Sequence, residues 1–75
     1  MTKRNGDIRA GMIARSVEAK TEWRVIELTR RGKIPHVRVQ KRIGRTVIDD
    51  SDMLSVGEFR EWLEAGIKAR ILYIR

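Results

Sequence analysis

Three carboxylates within four residues, Asp49, Asp50 and Asp52, form the densest acidic cluster of this 75-residue chain. Carboxylates at that spacing can share a divalent cation, and such a cation can activate a phosphoryl group. Phosphoryl chemistry also asks for a second carboxylate group or a histidine, and usually for a glycine-rich loop around the phosphate. His36 is the only histidine, there is no cysteine, and no such loop occurs. Ser16, Ser51 and Ser55 have no base near them in sequence to activate a hydroxyl. The aspartates read more simply as the end of a strand and a negative charge at the start of a helix. The sequence therefore points away from an enzyme, and no metal, cofactor or small-molecule substrate is expected.

The basic residues carry more information. Residues 29–52, "TRRGKIPHVRVQKRIGRTVIDDSD", hold seven Lys and Arg around one proline and several β-branched residues. The net charge is +7, and it is unevenly spread: residues 1–45 have 13 Lys/Arg against 4 Asp/Glu, residues 46–75 have 4 against 6. Like charges this dense destabilise a fold unless a polyanion meets them. Only four aromatic residues occur, Trp23, Phe59, Trp62 and Tyr73, which disfavours single-strand binding by serial base stacking. No apolar run approaches the roughly 18 residues of a membrane span. The first residues lack the apolar segment of a signal peptide. A cytoplasmic protein without membrane contact is expected.

The length allows one domain, residues 1–75, with a core near the lower limit for unaided folding. Residues 1–7 read as a flexible basic arm. Ile8, Met12, Ile13 and Val17 recur at helical spacing and predict a first helix over 8–17. Thr21 suits an N-cap, Glu22 the first turn, and Gly32 with Pro35 a stop, so "TEWRVIELTRRG" predicts a second helix. After Pro35 the period changes to two, and 36–49 predicts a β-hairpin with "QKRIGR" as its basic loop. Ser55 and Glu58 make a capping-box pattern that opens a third helix, ending at Gly66. The tail 67–75 reads as a strand on the β-propensity of "ILYI", and as a self-association segment, with a continuation of the helical stripe through Ile67, Ile71 and Ile74 as the alternative.

A short helix followed by a basic hairpin suits double-stranded DNA. The segment "TEWRVIELTRRGKIPHVRV…TVIDDSDM" resembles the winged-helix core of phage and mobile-element excisionases and of the related MerR-type regulators. Thr21 stands at the family's cap, Gly32, Ile34 and Pro35 at its turn into the wing, Val37, Val39, Val47 and Ile48 in its wing strands, and Asp52 and Met53 after the wing. The resemblance implies an α+β fold, a small winged helix-turn-helix with a β-hairpin wing, a third helix and a C-terminal strand. It implies sequence-specific binding of duplex DNA by an excisionase that bends an attachment site and directs an integrase toward excision. Binding would be cooperative, with self-association on DNA. The helix in the groove would present Thr21, Glu22, Trp23, Arg24, Glu27, Arg30 and Arg31. The wing would present Lys33, Arg38, Lys41, Arg42 and Arg45. Other readings of the same basic surface are a small transcriptional regulator, an RNA-binding, ribosome-associated protein, and a protein–protein adaptor whose basic wing meets an acidic partner.

Overall fold

The computed structural model describes residues 8–75, so the N-terminal arm lies outside the described residues. The elements run in the order β1 (Ile13–Ser16), β2 (Thr21–Arg31), β3 (Ile34–Ile43), β4 (Thr46–Ser55), α1 (Val56–Lys68) and β5 (Leu72–Ile74). The strands make one antiparallel sheet of order β4-β3-β2-β1-β5. The helix α1 lies across one face of it, giving two layers in a slab 35 × 29 × 17 Å across.

This corrects the winged helix-turn-helix expectation: among the described residues there is one helix, not three. The segment 8–17 contributes the four-residue strand β1, and 21–31, expected to be the recognition helix, is the eleven-residue strand β2. The reason is visible in β2. Thr21, Trp23 and Val25 alternate with Glu22 and Arg24, as a half-buried strand requires. A register shift between Val25 and Glu27 then inserts Ile26 as a bulge. The bulge shifts the alternation by one residue, so that the apolar positions become 23, 25, 26 and 28, a helix-like spacing. Val, Ile, Thr and Trp in this segment favour the strand, and partners on both sides, β1 and β3, supply the ladder.

The expected hairpin exists, but as part of the sheet and with a tighter turn. Strands β3 and β4 close at the pair Ile43↔Thr46 around Gly44 and Arg45, and β2 and β3 close at Arg31↔Ile34 around Gly32 and Lys33. Gly32 and Gly44 have φ of +64° and +61°, which the first central position of a type II′ turn requires. Pro35 stops no helix. It sits in β3 opposite Arg30, next to the turn-closing pair, where the antiparallel ladder asks for no N–H toward β2.

The core consists of Ala14, Val25, Val37, Val39, Phe59, Leu63 and Leu72, all at most 6 % exposed. Register places Ala14, Val25, Val37 and Val39 on one face of the sheet, beneath Phe59 and Leu63 of α1. The capping box is present: the Ser55 hydroxyl accepts from Glu58 N–H, and the Glu58 carboxylate accepts from Ser55 N–H. The helix does not end at Gly66 but runs to Lys68, with Arg70 in the left-handed region after it. Gly66 is buried because Leu72 folds back onto it: a Cβ there would meet Leu72 Cδ1 at 2.2 Å. Strand β5 pairs with β1, so the tail 67–75 supplies both the helix end and an edge strand.

Candidate nucleic-acid interface

The sheet's second face carries no described element. Strand alternation assigns its residues: Ile13 and Arg15 from β1, Glu22, Arg24, Glu27, Thr29 and Arg31 from β2, and His36, Arg38, Gln40 and Arg42 from β3. Cross-strand register builds them into rows. Tyr73, Arg15, Glu22 and Arg42 stand side by side across four strands, and Ile13, Arg24 and Gln40 form the next row. Glu27, Arg38 and Met53 form a row beyond the bulge, followed by Thr29, His36 and Ser55.

Glu22 sits at the centre of the basic group. Its Oε2 accepts a hydrogen bond from Arg24 Nε at 2.5 Å, and its side chain is only 13 % exposed. That hydrogen bond holds its carboxyl below the ordinary value; burial opposes the shift, and the charges of Arg24, Arg15 and Arg42 add to it. Arg38 Nε stands 3.3 Å from Glu27 Oε2 as an ion pair, but out of hydrogen-bond alignment, and Arg42 Nε is likewise buried without a hydrogen-bond partner. Five arginines, Arg15, Arg24, Arg31, Arg38 and Arg42, thus share the face with two glutamates, leaving an excess of positive charge.

The sequence-predicted site residues divide between the two faces. Glu22, Arg24, Glu27, Arg31, Arg38 and Arg42 belong to the open face. Thr21, Trp23, Arg30 and Lys41 belong to the helix side. Lys33 and Arg45 occupy the two turns at opposite ends of β3. Trp23 packs edge-to-face on Trp62 at 4.9 Å between ring centroids, and Trp62 stacks on Phe59 at 5.6 Å, so Trp23 is no groove contact. Arg15 and Gln40 were not foreseen. Arg15 joins the site only through pairing with Glu22 across two strands, which no local pattern reveals.

Asp49, Asp52 and the helix glutamates lie away from this face. Register puts Asp49 and Asp52 on the helix side of β4, and α1 adds Glu58, Glu61 and Glu64 there. Asp49 Oδ1 accepts from both the N–H and the hydroxyl of Ser51, and among the described residues no three His, Cys, Asp or Glu gather as metal ligands. A cleft of about 250 Å³ beside Trp62 is lined by Trp23, Val39, Asp52, Leu54 and Phe59; its one carboxylate has no acid–base partner there. Among the described residues no helix is long and apolar enough to cross a membrane. No protein-family model, curated protein or solved structure matches the chain.

Proposed function

We propose that the chain is a DNA-binding module that docks the open face of its sheet, not a helix, against duplex DNA, most simply in the cytoplasm. The observation that carries this reading is the group of arginines, Arg15, Arg24, Arg31, Arg38 and Arg42, on a sheet face that no described element covers. Some sheet proteins present strands to a groove of B-DNA, and β2 and β3, the long inner strands of this sheet, would be the ones presented. Strand β3 separates the basic turns bearing Lys33 and Arg45 by roughly 30 Å at about 3.3 Å per residue. That is close to one turn of the duplex, roughly 34 Å, so both turns can meet phosphates while the face lies in the groove. Single strands suit the face less well, because Tyr73, at its β5 margin, is its one described aromatic ring. An architectural role beside an integrase is the narrower form of this reading that the resemblance implied; here strands rather than a helix would do the binding.

The test is a salt-titrated binding measurement with duplex DNA, duplex RNA of the same sequence and single-stranded DNA. The wild type is compared with the Arg24→Ala, Arg38→Ala, Arg42→Ala triple variant and with Lys68→Ala at the helix end. Duplex DNA should bind best, and the triple variant should bind roughly tenfold or more weakly with a log–log salt slope lower by roughly one or more, with Lys68→Ala close to wild type. Preference for the RNA duplex would transfer the face to A-form helices. Binding to no nucleic acid near physiological salt would overturn the reading.

A further inference from the structure

We infer that Arg24 and Arg38 read guanines in the major groove, Arg24 oriented by its hydrogen bond to Glu22 and Arg38 by the charge of Glu27 alone. The inference rests on the duplex-binding reading above and adds what the face would recognise. In both pairs the carboxylate takes the Nε side of the guanidinium: Arg24 Nε donates to Glu22, and Arg38 Nε stands beside Glu27. Among the described residues no hydrogen bond engages the terminal Nη groups of either arginine. A guanidinium held by Nε presents its two Nη groups as a planar pair of donors, the pattern that matches guanine O6 and N7. Restraining the side chain beforehand also reduces the rotamer freedom lost on binding. Both side chains keep a route to a ligand, with Arg24 41 % and Arg38 40 % exposed.

Register sets their separation. Arg24 pairs with Gln40, and Arg38 lies two residues along β3 from Gln40 on the same face. Diagonal neighbours of this kind stand about 7–8 Å apart. Two base-pair steps span about 7 Å at roughly 3.4 Å per step, so the pair is spaced for guanines at every second position. Arg42 has no carboxylate on its Nε, which suits it to phosphate rather than to a base. The glutamates are positioning residues. Glu22, which makes the aligned hydrogen bond, should matter more than Glu27.

The probe is a duplex with guanine at every second position of one strand, and the same duplex carrying 7-deazaguanine, which pairs normally but lacks the N7 acceptor. For the wild type the deaza duplex should bind roughly fivefold or more weakly. For Arg24→Ala, Arg38→Ala the two duplexes should bind within about twofold of each other. Glu22→Gln should keep low-salt affinity, because it removes a negative charge, yet lose part of the discrimination, since only Arg24 is affected and the amide oxygen still accepts weakly from its Nε. Heat and urea melts of each variant confirm that it is folded. Equal wild-type binding to both duplexes overturns the inference and leaves duplex binding standing. Failure of the wild type to bind either duplex removes both.

Discussion

Glu22 shows how one side chain couples the face's charge to stability. Its folded-state carboxyl is held below the ordinary value of 4.5, chiefly by the Arg24 hydrogen bond. A group depressed in this way contributes stability that is complete above the ordinary value and is lost as pH falls below it. Urea midpoints should therefore drop between pH 6 and pH 3, and Glu22→Gln should flatten part of that drop. An unchanged acid limb in the variant would mean that other carboxylates govern it. Gly66 is a steric case. The methyl group of Gly66→Ala would favour the helix by about 1 kcal/mol, but it would stand 2.2 Å from Leu72 Cδ1. Overpacking against a buried neighbour should win, with a net loss of about 1–3 kcal/mol in the urea midpoint. Adding Leu72→Ala should reduce the further penalty below that of Leu72→Ala alone in wild type, because the two changes share one contact.

At the scale of elements, α1 and β2 differ in how far their signals are local. The capping box of α1 is a local hydrogen-bond exchange between Ser55 and Glu58, legible from two residues three apart. Ser55→Ala should cost about 1 kcal/mol, measured as a lower unfolding temperature with the fold's circular dichroism retained. No such local device defines β2. Its bulge at Ile26 spaces the apolar residues like a helix face, and its Thr21, Gly32 and Pro35 mimic helix caps and stops. In the sheet Thr21 pairs with Ile43, Gly32 makes a turn, and Pro35 continues the next strand. Strand β4 is irregular too, with register shifts opposite Val39 to Arg42. Together with Asp49 and Asp50 these shifts blunt an edge strand that would otherwise invite pairing with other chains.

Across the whole molecule, seven buried apolar residues hold two layers together, which leaves little reserve in so small a domain. Phe59 is the largest of the fully buried side chains and bridges the helix to the sheet beneath. Phe59→Ala should cost about 3–5 kcal/mol, comparable to the total stability of a marginal domain, about 5 kcal/mol. The variant should therefore be largely unfolded at 37 °C by circular dichroism; a cooperative melt near the wild-type temperature would show that the core does not depend on that ring. The open-face arginines contribute no such packing. Apart from the loss of the Arg24–Glu22 contact, their replacement should move the melt far less than Phe59→Ala does while changing binding, so the two surfaces separate experimentally.

Composition and charge by themselves determined that one small domain carries a basic N-terminal part and an acidic C-terminal part. They also determined the helix over Ser55 and Glu58, the alternation around Val37 and Val39, and most of the arginines worth naming. Those features depend on residue type or on neighbours a few positions apart. Tertiary structure decided that 21–31 is a strand, because a strand's hydrogen bonds are made with other strands and its bulge is defined only by pairing. It also decided which arginines share a surface. Arg15, Arg24, Arg38 and Arg42 meet through antiparallel register, whereas Lys41 and Arg30, equally basic in sequence, turn to the helix side. Charge count is a property of the chain; a charged face is a property of the sheet.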